Sequence, residues 1–261
     1  MKKLLKGFMA LALMFTSLFA VAGCGKDDDP PVDKAALKTK FENYISNLDT
    51  IEYGEFSIKY EEKTGIQWQK VEIEYDPVNG EFYCYEYLKE YVGEGGRDPK
   101  HYTKKVHAWI EGTDVTYAVH YYRPGYNNNI AEKEYKVDEF STTQEALEGF
   151  NELFRITFSG HWNTLLNPDT PDVYVIRLND EHLSMFEGYV AESKSTVTVN
   201  ENTDTKLDVS MKYGEDSNYS IVVENGYVTS YTQKDVIGEF TYTYSATSAF
   251  EKPDLTKYIQ Y

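Results

Sequence analysis

Alternation of apolar and polar residues runs through most of this chain and leaves few folds open. Val71, Ile73 and Tyr75 alternate with Glu72 and Glu74. Val106, Ala108 and Ile110 alternate with His107 and Trp109, and Val115, Tyr117, Val119 and Tyr121 with Thr116, Ala118 and His120. Leu207, Val209, Met211 and Tyr213 alternate with Asp208, Ser210 and Lys212, and Phe240, Tyr242 and Tyr244 with Thr241 and Thr243. Successive strand side chains point to opposite faces, so a period of two with one wet side predicts antiparallel strands covered on one face. Asn79-Gly80 and Asn225-Gly226 are strong hairpin signals; Gly112-Thr113 and the run Glu201 to Thr205 are further turns. About ten to twelve strands follow from this spacing. Strands do not alternate with helices, which argues against a parallel sheet.

Two segments carry helical spacing instead. Lys34 to Leu48 places Leu37, Phe41, Tyr44, Ile45 and Leu48 on one face, with Asp33 as N-cap. The second starts at Ser141, with Thr142 and Glu145 as a capping box, and aligns Leu147, Phe150, Phe154 and Phe158. Trp162, Leu165 and Leu166 extend that pattern past Gly160, and Pro168 limits it. The expected class is therefore mainly β (α+β): one large antiparallel sheet covered by an N-terminal and a central helix. A sheet face too large for two helices to cover leaves a cavity. The inward set predicted to line it is Val106, Ala108, Ile110, Val115, Tyr117, Val119, Leu207, Val209, Met211, Phe240, Tyr242 and Tyr244, with Phe150, Phe154 and Phe158 as cover.

The N-terminus is an address rather than part of the fold. Lys2, Lys3 and Lys6 form a positive region, and Phe8 to Val21 is apolar except for Thr16 and Ser17. That run is short for a membrane span and sits at the start, as in a secretory signal. It ends in Val21-Ala22-Gly23-Cys24, which resembles the lipobox of bacterial lipoproteins. The resemblance implies a signal peptide over residues 1–23, palmitate and diacylglycerol chains on Cys24, and a mature N-terminus at that cysteine. The partner it implies is the membrane, engaged through the acyl chains on the extracytoplasmic face of a bacterial cell membrane. Residues 24–33 read as a tether and 34–261 as a single domain. Asp27, Asp28 and Asp29 lack the glycine and terminal Glu of a calcium loop, so they read as solvated linker before Pro30 and Pro31.

Charge and motifs narrow the function. The formal charge is -17, and cleavage before Cys24 removes three lysines and no acid. Nucleic acid is thereby excluded as a partner, since phosphate binding needs surplus Lys and Arg. The chain holds two cysteines, so Cys84 has no disulfide partner once Cys24 is acylated, and it reads as a small core hydrophobe. Among five histidines, a turn at Gly112-Thr113 sets His107 opposite Ala118 and His120 diagonal to His107 on the wet face. No HExxH, GxSxG or CxxC occurs, and no metal or cofactor motif is present. Gly93 to Lys100 lacks the following helix and GK[ST] of a phosphate loop and reads as a hairpin tip; Pro124 to Asn129 is a second loose stretch.

Tyrosine is the compositional outlier, with 24 residues; Tyr83, Tyr85, Tyr87 and Tyr91 share one strand face. Its ring suits strands and its polar tip suits contact surfaces. The layout of lipidated N-terminus, amphipathic helix, long one-sided antiparallel sheet and apolar helical cover resembles the LolA/LolB and LppX/LprG lipoproteins. That resemblance, spanning about residues 33–252, implies a curved half-barrel with helices on its concave side and a cavity for acyl chains. Inward tyrosines imply a narrower and more polar cavity. The expected function is a non-enzymatic, surface-anchored lipoprotein binding an apolar or amphipathic, lipid-like ligand. The alternatives are a protein-interaction or adhesion module using Tyr-rich surfaces, and an envelope hydrolase.

Overall fold

The computed structural model describes residues 31–50, 54–92, 98–123, 130–159 and 171–261. Cys24 with its leader, His161, Trp162, Leu165, Leu166, Pro168, most of the tether, residues 93–97 and residues 124–129 lie outside the described residues. A compact unit spans Val32–Tyr261. Its elements are α1 (Lys34–Asn47), β1 (Phe56–Thr64), β2 (Gln67–Asp76), β3 (Glu81–Val92), β4 (Asp98–Glu111), β5 (Asp114–Arg123) and β6 (Ile130–Glu139). Then come α2 (Thr143–Ser159), α3 (Pro171–Val190), β7 (Ser195–Asn202), β8 (Lys206–Tyr213), β9 (Ser217–Glu224), β10 (Tyr227–Lys234), β11 (Gly238–Ser245) and the two-residue β12 (Ile259–Gln260).

The twelve strands of the described residues form one sheet in the order β12-β6-β5-β4-β3-β2-β1-β11-β10-β9-β8-β7. The sheet is curved and unclosed, mainly β with helices on one side, as the alternation and the layout predicted. Two meanders, β1 to β6 and β7 to β11, are joined where β1 pairs antiparallel with β11. The helices α2 and α3 lie in the long connection between the β6 and β7 edges. Turn chemistry follows the sequence. Asn225 and Gly226 both take positive φ, 52° and 89°, the two-residue turn whose twist matches its strands. The strand β4 begins nearer the tip than the Gly93 to Lys100 reading allows, because Asp98 already pairs with Val92.

Helix starts are sealed as expected. The Asp33 carboxylate accepts from the Ala36 amide at 3.0 Å. At α2 the Thr142 hydroxyl accepts from the Glu145 amide at 3.2 Å, and the Glu145 carboxylate accepts from the Ser141 amide at 3.0 Å. Phe154 and Phe158 fall within α2, but their side chains lie outside the described residues. The helix α3 is an addition to the expected two. Its buried positions, Val175, Leu178, Asn179, His182, Leu183, Phe186 and Val190, have helical spacing. Two of them are polar, which dilutes the stripe in the sequence.

The helices divide the concave face between them. The helix α2 lies over β4 and β5, and Phe150 stacks on Tyr75 of β2 at 6.3 Å. The helix α3 lies over β7 and β10, and α1 rests on α3, with Phe41 and Phe186 rings 5.5 Å apart. A register shift between Val228 and Ser230 frees the Val228 amide from the ladder. Asn179 accepts that amide at 2.8 Å and donates to the Val175 carbonyl at 2.9 Å, so a buried bulge costs no lost hydrogen bond.

The outer face is wet over much of its area but carries a strap. Residues 246–261 cross it from the β1 and β2 ends to β6. The Ala249 amide donates to Glu74 at 2.8 Å, and Phe250 packs edge-on over His107 at 6.1 Å. Lys252 pairs with Glu111 at 2.6 Å over the Trp109 ring, and β12 then runs parallel to β6. This strap buries Trp109 and Thr116, outward residues of β4 and β5.

One glycine sets a sharp steric test of the β1–β11 junction. A Cβ at Gly238 would lie 2.2 Å from the Lys63 carbonyl oxygen, whereas one at Gly65 meets nothing within 4 Å. Gly238→Ala is expected to destabilise the domain by about 2 kcal/mol, and Gly65→Ala to stay within about 0.5 kcal/mol of wild type. Urea unfolding of the two variants checks this; equal midpoints would contradict the junction geometry.

Candidate functional site: the graded concave face

Every described member of the predicted inward set lies on the concave side. Val106, Ala108, Val115, Val119, Phe150, Leu207, Val209, Met211, Tyr242 and Tyr244 are buried; Ile110, Tyr117 and Phe240 are half-buried against the same core. They form two groups. The first, from β4 and β5, sits under α2; the second, from β8 and β11, sits under α1 and α3. Between them runs a central strip absent from the predicted set: Phe56 and Ile58 of β1, Val71 and Ile73 of β2, Phe82 and Cys84 of β3, all buried. In β3 the outward positions are tyrosines, so aromatic residues occupy both faces and the apolar period does not choose between them.

Register turns these side chains into rungs across the sheet. One rung passes through Phe56, Tyr75, Phe82, Ala108 and Tyr117. The next passes through Ile58, Ile73, Cys84, Val106 and Val119. Both are apolar. The third passes through Tyr60, Val71, Glu86, Lys104 and Tyr121, and the fourth holds Glu62, Gln69, Leu88 and Tyr102. The β1–β5 part of the concave face is thus apolar at one end and polar at the other. Glu86 and Lys104 are 3% and 6% exposed, yet they share the inward side of their strands with Cys84 and Val106. The alternation reading placed acids on the wet side, and Glu86 departs from it. The signal for Lys104 was its place two residues before Val106, masked by the adjacent Lys105.

The other half of the face is aromatic. His182 of α3 stacks on Tyr231 at 4.4 Å and lies 4.7 Å from Tyr242 and 5.5 Å from Phe240. Burial holds its imidazole down at about 3, so it is a neutral ring at physiological pH. The Tyr231 hydroxyl contacts the Met185 sulfur at 3.2 Å.

The remaining candidates resolve by position. Cys84 is 1% exposed, and burial pushes its thiol well above the ordinary range, the state of a structural thiol. His107 does pair with Ala118, and His120 with Lys105, giving the diagonal placement read from the turn. His107 is not fully wet: it is half-buried between Tyr83 and Phe250, and burial brings it down to about 4. Among the described residues no cluster of three or more His, Cys, Asp or Glu could hold a metal ion. No helix of the described residues is long and apolar enough to cross a membrane. A depression of about 130 Å³ opens between β11, β1 and β2, lined mostly by outward residues, among them Lys59, Glu61, Lys70 and Glu72. Beside it Trp68 meets Tyr87 edge-on at 5.3 Å and donates to Glu61 at 2.8 Å.

Comparison with known proteins adds little. No family model matches the chain, and no curated protein matches it in sequence. Among solved structures, a DUF1329 family protein from Desulfovibrio piger aligns at 12% identity. The alignment covers 86% of this chain and 97% of that one, with a TM-score of 0.20, too low to carry an argument.

The depressed His182 has a stability consequence. The unfolded chain takes up a proton near pH 6.5 and the folded chain only near 3, so acid favours unfolding. Stability from this group is complete above about pH 6.5 and is lost as pH falls toward the folded value. Going from pH 7.5 to 5 should cost about 2 kcal/mol through His182. His182→Phe should shrink the pH dependence of the urea midpoint by that amount; an unchanged dependence would place the ring in water.

Proposed function

We propose that this chain is a non-enzymatic, lipid-anchored protein of the bacterial envelope that holds an amphipathic, lipid-like ligand against the concave face of its sheet. The observation that supports the reading most is the grading of that face. Two apolar rungs adjoin a rung with Glu86 and Lys104, which matches a molecule with an apolar body and a polar head. The anchor is Cys24, whose lipobox-like context supports acylation, with the acidic tether holding the domain off an anionic surface. The domain runs from residue 34 to 261.

A second reading has one observation behind it. The outer face of β2 and β3 presents Trp68, Tyr83, Tyr85 and Tyr87 half-buried beside Lys70 and Lys105. Such an amphipathic strip suits contact with another protein.

Two experiments test the proposal. Solvent extraction of the purified full chain, followed by mass spectrometry, should release one class of amphiphile at near one copy per chain. A lipid-free extract together with pull-down losses in Tyr85→Ala and Tyr87→Ala would favour the second reading. Cys24→Ser should move the protein from the membrane to the soluble fraction with its melting temperature unchanged. Continued membrane fractionation would contradict the acyl anchor.

A further inference from the structure

We infer that the end of the sheet carrying the β1–β2 and β10–β11 turns rests on a lipid bilayer, with Ile66, Val236 and Ile237 dipping into its interfacial layer. This rests on the reading that Cys24 is acylated. Register puts the two turns side by side: β1 pairs with β11 out to Thr64 opposite Gly238, so both tips project beyond the same end. Ile66, Val236 and Ile237 are 73%, 80% and 71% exposed. Single exposed aliphatic side chains are ordinary, but three on neighbouring tips form a patch. The turns do not need them. The Thr64 hydroxyl accepts from the Ile66 and Gln67 amides at 3.3 and 3.0 Å. The Asp235 carboxylate accepts from the Ile237 and Gly238 amides at 2.8 and 3.1 Å. Polar side chains thus close both turns, and the aliphatic ones are left for something outside the chain.

The tether leaves from the same end. Lys34, the first residue of α1, donates to the Glu192 and Ser195 carbonyls. Ser195 pairs with Tyr213, Tyr213 with Ser217, and the adjacent Asn218 with Lys234, next to Asp235. The start of α1 therefore lies at the tip end of the sheet, beside β7 and four strands from β11. Four strand spacings are about 20 Å, and residues 25–33 fully extended reach about 30 Å. An anchor at Cys24 keeps the tips within reach of the bilayer, where a weak contact becomes an intramolecular one. A protein partner fits the patch less well, because three tip side chains offer far less than the about 800 Å² each partner gives a standard interface. Charge selects the lipid. Lys63 and Lys234 both face Glu239, and Asp235 is the other acid, so the two tips carry balanced charge while the whole chain stands at -17. Apolar insertion is then the attraction, and anionic lipid opposes it. Val78 is a control supplied by the fold: it is 89% exposed, but in the β2–β3 turn at the opposite end.

The test uses the full acylated chain in phosphatidylcholine vesicles, with an environment-sensitive fluorophore on one introduced cysteine. Cys84 is buried and Cys24 acylated, so only the introduced thiol reacts. Labels at Ile66→Cys and Val236→Cys should shift to the blue and be quenched by lipid-borne quenchers, while a label at Val78→Cys keeps its emission in water. Adding Ile237→Asp to the Val236→Cys chain should abolish the shift with little change in melting temperature, since the position is exposed. Anionic phosphatidylglycerol in the vesicles should weaken the shift. Unshifted tip labels on a chain that floats with the vesicles overturn the tip contact while the acyl anchor stands. A chain that neither floats nor carries acyl groups on Cys24 overturns the anchor and the inference with it. Shifted tip labels that lipid-borne quenchers leave untouched, with cross-linking between Ile66→Cys chains, assign the patch to a second copy and overturn the bilayer. An equal shift at Val78→Cys, or a shift confined to anionic vesicles, overturns it as well.

Discussion

The pairing of β1 with β11 is the constraint on which the rest of this structure depends. It runs in unbroken register from Ser57 opposite Ser245 to Thr64 opposite Gly238, and it joins residues from near the two ends of the domain. Without it, each meander would present a long bare edge, a template for unwanted pairing. With it, the rungs of the first meander continue into the second: Tyr60 lies opposite Tyr242, which lies opposite Tyr231. The junction is reinforced by side chains, with Tyr60 edge-on to Phe240 at 4.7 Å and Phe56 beside Tyr244 at 6.2 Å. Contacts this distant in sequence must be closed against chain entropy, so the fold belongs among slowly assembling topologies.

Once that sheet is continuous, its two faces take different roles. The concave face is covered by helices over β4 and β5 on one side and β7 and β10 on the other, so the central strands lie where the two covers meet. There the inward side chains change from Cys84 and Val106 to Glu86 and Lys104 within two residues along β3 and β4, while β1 and β2 continue with Tyr60 and Val71. The outer face is tied down by the C-terminal strap, which shields His107 and Trp109 and ends by extending the β6 edge. That strand is polar on its concave side, with Glu132 and Glu134 exposed, so the concave face is wet beyond β5. Tyrosine serves both faces: inward, Tyr231 and Tyr242 fill wide gaps in the aromatic half; outward, Tyr83 and Tyr85 lie among charges.

Much of this was legible because a strand writes its facing into alternate residues. Val106, Val115, Leu207, Val209 and Tyr242 are buried, as period two alone predicts of their facing, and the hairpin at Asn225-Gly226 follows from its turn chemistry. The failures have specific causes. The helix α3 hides its stripe because Asn179 and His182 occupy core positions, one to satisfy the Val228 bulge and one as a neutral aromatic ring. The central strip was missed because β3 is aromatic on both faces. The burial of His107 depends on Phe250, from a strap with no periodic pattern of its own. Lys104 was missed since a charge beside a second charge reads as solvent-facing; only cross-strand register shows which of Lys104 and Lys105 turns inward.

Whether the concave face of this sheet holds an amphipathic molecule decides between a carrier and a protein with a filled core. A crystal structure of the chain purified from its native source, without delipidation, addresses that directly. A carrier will show elongated density on the concave side of the sheet that the protein chain does not account for. Side chains in van der Waals contact across the whole concave side, with no unaccounted density, would contradict the carrier reading.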